Sequence, residues 1–306
     1  MTKFQIPNKL IEPSPTAPLP EGEGSKVKNH RLASNRVRVI GYWSLVIIWL
    51  LVIGYWSFAF ASLQRIISAM PSNTEILYAL GLADKVVGVK DFCNYPPEAK
   101  KKEKIGGVIL NTEKIISLKP DLIVMLEDAQ PREIEKLKKL KLPILTVNPH
   151  NLDEVMDSII KIGKATGKEE KAIQLTQKMK RKIKNLARYP TRPKVFVEIW
   201  HEPLMAAGKG TFIDDLINKV GAYNVASEAK GSYPQFSFER LVQLNPDIII
   251  IPKENVRDPK MIYNDPKWRN LRAVKERKIL FIESDLISRP GPRLVEALEK
   301  IAEFIY

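Results

Sequence analysis

The chain has 306 residues, with 49 Lys and Arg against 35 Asp and Glu, so its formal net charge is +14. Charged residues at 27% and hydrophobic residues at 44% are typical of a globular protein, and they exclude a collagen-like, fully disordered or multi-span membrane chain. The single cysteine, Cys93, excludes a disulfide framework and a cysteine-built zinc site. This length allows two domains with separate cores.

The N-terminal region divides into a polar part and an apolar part. Residues 1–38 are polar, rich in proline and without a hydrophobic period, which predicts a disordered cytoplasmic tail. Residues 39–61 contain no charged side chain and are long enough to span a bilayer. Basic residues precede this segment, so the positive-inside rule predicts export of the chain beyond residue 61. Ala59 and Ala61 have the spacing of a signal-peptidase site, which leaves two alternatives, a cleaved signal peptide or a retained transmembrane anchor.

Beyond residue 61, short apolar runs alternate with helical stretches. The runs are unbroken and rich in β-branched residues, which is typical of strands covered on both faces in parallel α/β sheets. The predicted strands are Arg65–Met70, Val86–Val89, Asp121–Leu126, Pro143–Asn148, Lys194–Ile199, Asp247–Pro252 and Lys278–Glu283.

A helical segment separates the fourth predicted strand from the fifth. Asn151 followed by Glu154 has the capping-box pattern of a helix start. Gly163 and Gly167 punctuate this stretch, but the highly charged sequence after them runs uninterrupted, and we expect a single long connecting helix over 151–190. This helix would join an N-terminal lobe, 62–150, to a C-terminal lobe, 191–306, in an α/β fold of two Rossmann-like lobes.

The two predicted lobes contain copies of one sequence block. Asn111–Val124 and Ser237–Ile250 are identical at five of fourteen positions. Each block begins with a helix N-cap residue, continues as a helix, reaches a proline and leads into a buried strand. Duplicated α/β lobes imply a ligand cleft between them, and the loops after the parallel strands are expected to line it.

Several segments resemble one protein family. Arg65–Glu75, Tyr95–Glu98, the repeated block and Ser288–Arg293 are similar to segments of the helical-backbone substrate-binding proteins of ABC importers. The most similar subgroup binds cobalamin, and other members bind ferric siderophores or haem. The resemblance implies a monomeric periplasmic or extracytoplasmic protein without a cofactor. Such a protein delivers a small metal chelate to an ABC permease dimer with its ATPase subunits.

The resemblance gives a docking role to two residues at equivalent positions of the repeat. In the family, one glutamate of each lobe docks onto an arginine of a permease subunit. Glu113 and Glu239 stand at the positions of these two glutamates. The alternative is purely local, because an acidic residue in the first turn of a helix is favoured by about 0.3–1 kcal/mol through the helix dipole.

The residues that the resemblance places at the ligand lie after the strands. Pro71–Asn73 begins a helix whose free N–H groups can meet ligand oxygens, although capping alone also explains the pattern. Phe92 and Tyr233 fall where cobalamin-binding relatives place an aromatic ring against the corrin, whereas Val108 and Leu126 stand where such a relative carries tryptophans. The expected ligand-binding residues are Pro71, Ser72, Asn73, Phe92, Tyr95, Trp200, Tyr233, Asp285 and Arg289.

For Arg289 and His201, the sequence allows both a structural role and a role at the ligand. Arg289 can offer a fork of donors to amides or carboxylates of a ligand, and it can also serve the fold. His201 is either a structural hydrogen-bonding residue or an axial ligand of a chelated cobalt or iron ion. A metal site built by the protein alone is not expected, since the chain has only three histidines.

Other classes of function find little support in the sequence. The spacing of a phosphate-binding loop, a G-x-S-x-G elbow and an HExxH helix are all absent from the sequence, so an enzyme is not expected. The lysines are dispersed over predicted helices and the domain is exported, which argues against nucleic-acid binding. A ferric-siderophore or haem carrier, or a membrane-tethered ligand sensor, is the alternative to cobalamin delivery.

Overall fold

The computed structural model describes residues 63–186 and 191–306. Residues 61–306 form one compact unit. The predicted tail, 1–38, and the predicted export segment, 39–61, lie outside the described residues. Among the helices that are described, none is both long enough and apolar enough to cross a membrane.

The N-terminal lobe is a five-stranded parallel sheet with short helices. Its strands are β1 (Ile66–Ser68), β2 (Val86–Val89), β3 (Glu103–Lys104), β4 (Leu122–Leu126) and β5 (Ile144–Val147). Its helices are α1 (Pro71–Ala79), α2 (Thr112–Ser117) and α3 (Pro131–Lys139). The strands lie in the order β3-β2-β1-β4-β5, and every neighbouring pair is parallel. The carboxyl ends of all five strands therefore meet at one edge of the lobe.

The predicted single connecting helix over 151–190 is wrong, because the structure forms two helices there. They are α4 (Leu152–Ala165) and α5 (Glu169–Lys184). Between them, Gly167 has a φ of 66°, a left-handed conformation that interrupts a right-handed helix. The Thr166 hydroxyl donates to the carbonyl of Ile162 at 2.7 Å and so satisfies an acceptor at the end of α4.

The start of α4 confirms the predicted N-cap at Asn151, while the Glu154 carboxylate bonds one residue before the N–H that a full capping box uses. The Asn151 side chain accepts a hydrogen bond from the Glu154 N–H at 2.9 Å, and the Glu154 carboxylate accepts one from the His150 N–H at 2.7 Å. Further along, α4 and α5 approach each other closely. A Cβ atom placed on Gly163 would lie 2.5 Å from the Cβ of Ala172, so this contact requires glycine.

The C-terminal lobe repeats the parallel arrangement with one antiparallel addition. Its strands are β6 (Lys194–Trp200), β7 (Met205–Ala206), β8 (Tyr223–Asn224), β9 (Ile248–Pro252) and β10 (Ile279–Ile282). Its helices are α6 (Phe212–Lys219), α7 (Phe238–Leu244), α8 (Pro259–Asn264), α9 (Arg272–Lys275), α10 (Ser284–Ser288) and α11 (Leu294–Ile305). The strand order is β10-β9-β6-β7, with β8 also paired to β6 and only the β6–β7 pair antiparallel.

All seven predicted strands are confirmed, with ends shifted by at most two residues. Their burial has the predicted character, since β1 and β9 are buried at every position. The prediction missed β3, β7 and β8, each of which has two residues. Two residues are too few for a hydrophobic pattern, so these strands exist through their neighbours in the sheet.

One hydrophobic cluster extends through both lobes and the connecting helices. It includes Leu77 of α1, Ile159 of α4, Met179 of α5, Leu216 of α6 and Leu298 of α11. Two further clusters are each confined to one lobe. Because a large change in the angle between the lobes would expose the shared cluster to water, we expect interlobe motion to be small.

Candidate functional site

A cleft with a volume of about 680 Å³ opens between the two lobes. The N-terminal lobe lines it with the loops after β1, β2, β4 and β5. The C-terminal lobe lines it with the loops that precede α6 and α7 and with the end of α10. This volume lies within the usual range for sites that hold small molecules and cofactors.

Six of the nine expected ligand-binding residues line this cleft. They are Pro71, Ser72, Phe92, Tyr233, Asp285 and Arg289. The two aromatic rings come from opposite lobes, and their exposed fractions of 55% for Phe92 and 45% for Tyr233 leave ring surface available to a ligand. Burial raises the pKa of the Tyr233 hydroxyl above its usual range.

The start of α1 presents unsatisfied polar groups at the cleft. Pro71 occupies the first turn, and the first N–H to find an acceptor within the helix is that of Thr74, which donates to the Met70 carbonyl at 3.1 Å. The N–H groups of Ser72 and Asn73 therefore have no acceptor within the helix. The Ser72 hydroxyl and both amide atoms of Asn73 are buried without a hydrogen-bond partner among residues 63–186 and 191–306. Of these two residues, Ser72 lines the cleft.

The cleft also contains polar residues that the sequence alone did not single out. Lys90 comes after β2, Asp128 after β4, and Asn148 and His150 after β5. The His150 Nε2 lies 3.2 Å from the Asn148 Nδ2 and 3.6 Å from an Asp128 carboxylate oxygen. Desolvation lowers the pKa of the Lys90 ammonium. The rule that ligands collect after the carboxyl ends of strands would have found all four residues.

Known proteins share this architecture over most of the chain. The profile of the periplasmic binding protein family matches residues 66–286. The chain belongs to the periplasmic binding protein family. YvrC of Bacillus subtilis strain 168, an uncharacterized ABC transporter substrate-binding lipoprotein, is 40% identical to it over 254 residues, which cover 79% of this chain and 80% of that protein.

Two solved structures confirm the predicted fold class, an α/β protein of two lobes with parallel sheets. The vitamin B12-binding protein BtuF of Vibrio cholerae is 28% identical, with a TM-score of 0.67, over 80% of this chain and 97% of that chain. The heme-binding protein RhuT of Roseiflexus sp. RS-1, in its apo form, is also 28% identical, with a TM-score of 0.72, over 79% of this chain and 98% of that chain.

Membership of the family defines the class of activity. Periplasmic binding proteins of this family bind substrates for transport and are not enzymes, so the molecule they hold is cargo and not a cofactor. The partner of such a protein is an ABC permease with its ATPase.

Three of the expected ligand-binding residues lie outside the cleft of this periplasmic binding protein. Asn73 belongs to the first turn of α1 and is buried. The Tyr95 ring packs on the Arg293 guanidinium, 3.8 Å from its carbon, and lines a second cavity of about 390 Å³. Trp200 is exposed, and its indole N–H donates to the Glu202 carbonyl at 2.8 Å.

His201 is also turned away from the cleft, which does not fit the alternative of an axial metal ligand. Its Nδ1 lies 3.2 Å from the carboxylate of the fully buried Glu198, and its ring stacks on Trp268 with centroids 5.7 Å apart. Among the described residues, His150 is the histidine that lines the cleft. Of the two positions that depart from the cobalamin pattern, Leu126 lines the cleft and Val108 does not.

The two expected docking residues occupy matching places in the lobes of this periplasmic binding protein. Glu113 is in the first turn of α2, where the Asn111 side chain caps the helix. Glu239 is in the first turn of α7, where the Ser237 side chain does the same. Both glutamates lie outside the cleft.

Proposed function

We propose that this periplasmic binding protein holds cobalamin or a related corrinoid in the interlobe cleft and delivers it to an ABC importer. The observation that carries the proposal is the pair of exposed aromatic rings, Phe92 and Tyr233, which line one cleft from opposite lobes. Flat apolar ligands gain from contact with such rings through burial and stacking. The resemblance gives the same two positions to corrin contacts.

Polar groups around the rings support a large ligand with amide substituents. The N–H groups at the start of α1 and the Ser72 hydroxyl can donate to amide oxygens. Asn148 and Asp285 supply acceptors for amide N–H groups on the opposite walls. Hydrogen bonds of this kind fix the orientation of a ligand whose affinity comes from buried apolar surface.

The test is a direct titration of the purified full chain. Cyanocobalamin, haemin and a ferric hydroxamate siderophore are titrated in parallel by isothermal calorimetry, with visible spectra recorded for each mixture. We expect saturable binding of cyanocobalamin at a stoichiometry of one. Binding of haemin or the ferric chelate without binding of cyanocobalamin would overturn the corrinoid proposal.

Haem is the second candidate, and a specific observation favours it. His150 and Tyr233 both line the cleft, and an imidazole nitrogen and a phenolate oxygen are both ligands that proteins use for haem iron. If haem is the cargo, the complex shows a Soret band that shifts in His150→Ala or in Tyr233→Phe. Cobalamin binding would be insensitive to Tyr233→Phe, because that change keeps the ring.

The docking role of Glu113 and Glu239 is part of the same proposal. Their matching places at helix starts in the two lobes suit a permease dimer that offers one arginine from each subunit. Their position outside the cleft suits a role in presentation and not in ligand affinity.

We further propose that segment 39–61 exports the binding protein, either as a cleaved signal peptide or as an anchor. The 23 uncharged residues are long enough for an anchor, and the Ala59–Ala61 spacing supports cleavage. N-terminal sequencing of the protein recovered from cells distinguishes them. An N-terminus at Ser62 establishes cleavage, whereas retention of residues before it on membrane-bound protein establishes an anchor.

A further inference from the structure

We propose that Glu75 is a positioning residue for the ligand cleft: it holds two arginines of the opposite lobe and thereby fixes the separation of the lobes before any ligand arrives. Its effect on ligand affinity rests on the proposed function, whereas its effect on lobe separation does not. The contacts form what we call the interlobe junction. It consists of Glu75, Phe92 and Asn94 from the N-terminal lobe and Asp285, Arg289 and Arg293 from the C-terminal lobe.

The Glu75 carboxylate receives both arginines although it is almost fully buried, with 2% of its side chain exposed. Arg293 donates from Nε to Glu75 Oε2 at 2.8 Å and from Nη2 to Glu75 Oε1 at 2.6 Å. Two parallel hydrogen bonds of this type are the strongest and most directional that an arginine forms with a carboxylate. Arg289 adds a third bond, from Nη1 to Oε1 at 3.2 Å.

Four of the five N–H donors of Arg289 are committed to the protein even though the residue lines the cleft. Its Nη1 contacts Glu75 and also the Asn94 side-chain oxygen, the latter at 2.7 Å. Its Nη2 contacts the Phe92 carbonyl at 3.2 Å and the Asp285 carboxylate at 2.7 Å. Each terminal nitrogen carries two hydrogens, so these four acceptors occupy the guanidinium fork. Arg289 therefore joins the lobes and does not present a free fork to a ligand.

The junction controls the geometry of the proposed ligand contacts. Arg289 binds the backbone carbonyl of Phe92, the residue whose ring lines the cleft. Asn94 donates to Asp285 at 2.8 Å and so closes a ring of contacts across the lobes. Removing one member of a buried charged cluster leaves the other charges buried without a partner. Such unpaired burial strongly destabilises the arrangement of the lobes in which the junction is formed. Loss of Glu75 should therefore loosen the contact between the lobes at the cleft, within the small motion that the shared hydrophobic cluster permits, and shift Phe92 relative to Tyr233.

The first measurement reports lobe separation without any ligand. Spin labels are placed on the full chain at Lys139→Cys in α3 and Lys275→Cys in α9, both of which are exposed, while Cys93 is fully buried. Pulsed electron–electron double resonance then gives the distance distribution. We expect a single narrow distribution that Glu75→Gln broadens. An unchanged distribution in Glu75→Gln would overturn the proposal, whatever the ligand proves to be.

The second measurement follows binding of cyanocobalamin by stopped flow. If only a fraction of the molecules has the competent separation, the apparent affinity falls by that fraction, about tenfold when one molecule in ten is competent. The loss of affinity should appear in the association rate. The dissociation rate should be unchanged, because the variant, once bound, makes the same contacts with the ligand. A loss confined to the dissociation rate would instead make Glu75 a direct ligand contact.

Two further variants keep the test decisive. If Glu75→Gln does not fold, Asn94→Ala removes two junction contacts from an exposed position and is expected to broaden the distribution in the same way. Lys253→Gln is the matched control, because it removes an exposed ion pair with Glu283 inside one lobe. Broadening in Lys253→Gln as large as in Asn94→Ala would show that any lost charge loosens the protein, and the junction would have no special role.

Discussion

The two lobes share one framework and differ in the loops that they attach to it. In the N-terminal lobe, Asp121 accepts hydrogen bonds from the N–H groups of Gln64 and Arg65, both at 2.9 Å. In the C-terminal lobe, Asp247 accepts one from the N–H of Lys194 at 2.8 Å. Each aspartate comes after the repeated helix and ties the start of its own strand to the start of the first strand of its lobe. The repeated aspartate thus has a structural reason in both copies.

The two copies of the repeat also share a backbone conformation at the end of the helix. Lys119 and Asn245 take the same place after the repeated helices, and both have a left-handed conformation, with φ of 44° and 41°. Asparagine tolerates this conformation better than lysine does, so the N-terminal lobe keeps the geometry with a less suited residue. The turn is therefore imposed by the surrounding fold and not chosen by the local residue.

The segments just before the repeated helices have diverged. Leu110 and Phe236 are buried anchors at matching positions. In the segment before Leu110, the N-terminal lobe forms a tight turn that is closed by an antiparallel bridge between Gly106 and Leu110. Val108 and Ile109 are exposed at the tip of this turn. The C-terminal lobe places Tyr233 there, at the cleft. The buried supports are therefore alike in the two lobes, whereas the loops before the repeated helices differ, and of these two loops the C-terminal one lines the cleft.

The largest predicted effect tests whether the two lobes dock in the same way. Glu113→Arg combined with Glu239→Arg should abolish ligand uptake and binding to the permease, because each change puts a positive charge against the expected arginine. Ligand affinity measured by calorimetry should be unchanged, since neither residue lines the cleft. Each single variant should retain part of the transport.

The matched control for docking is Glu170→Arg, which reverses an exposed acid in the first turn of α5 but away from the repeat. It should transport at the rate of the unmodified protein. Uptake at that same rate by the double variant would show that the two glutamates are only favourable charges at helix starts.

The next effect concerns the two loops, one from each lobe, that place the Phe92 and Tyr233 rings at the cleft. Phe92→Ala and Tyr233→Ala should each weaken cobalamin binding by about 1–3 kcal/mol, through lost burial and stacking. Calorimetry provides the affinity, and circular dichroism checks the fold. Tyr233→Phe serves as the control that keeps the ring and should retain the affinity for cobalamin. Unchanged affinity in both alanine variants would move the ligand away from these two rings.

A smaller effect probes the shared framework. Asp121→Ala and Asp247→Ala should each reduce the free energy of unfolding by about 1 kcal/mol, because exposed backbone N–H groups lose a charged acceptor and turn to water. The Asp247 change also removes a partly exposed ion pair with Arg272, which adds less than about 1 kcal/mol. Urea denaturation measures the loss, and Asp157→Ala, an exposed change on α4, should have no effect. A loss in one lobe only would mean that the two aspartates do not have the same role.

The smallest effect concerns acid stability in the C-terminal lobe. Hydrogen bonding to Lys253, to a backbone N–H group and to Lys300 lowers the pKa of Glu283 from 4.5 to about 2, with Lys253 the largest cause. The ionised carboxylate therefore stabilises the fold above pH 4.5, and this contribution is lost as the pH falls from 4.5 to about 2. Both side chains are half exposed, so the contribution is below about 1 kcal/mol. Urea denaturation at pH 7 and pH 3 should show a smaller difference for Lys253→Gln than for the unmodified protein.

The sequence was sufficient for every element with a clear local pattern. The buried strands, the cap at Asn151 and the repeated helices were all predictable because apolar runs and capping residues act over a few positions. The break between α4 and α5 is not part of the single-helix prediction, because the charged helical pattern that resumes at Lys168 outweighs the interruption at Gly163 and Gly167. Gly167 is nevertheless a local stop signal, because it closes a Schellman motif in which the N–H groups of Lys168 and Gly167 donate to the carbonyls of Gly163 and Lys164.

The site was predictable only in part, for a different reason. The loops that line the cleft are dictated by the topology of parallel sheets, and six expected residues lie there. The junction could not be predicted, since Glu75 and Arg289 are 214 positions apart and pair only because two lobes meet. His201 comes after a strand as the rule requires, but the buried Glu198 holds its ring elsewhere.

The hydrophobic cluster that extends through both lobes has a consequence for biosynthesis. The last helix of the structure, α11, supplies Leu294, Leu298 and Ile301 to that cluster, which also holds Ile66 of the first strand. Neither lobe can complete its share of the cluster until α11 has left the ribosome. The shared cluster therefore forms after the two lobes have been synthesised, whereas the clusters confined to one lobe do not depend on α11.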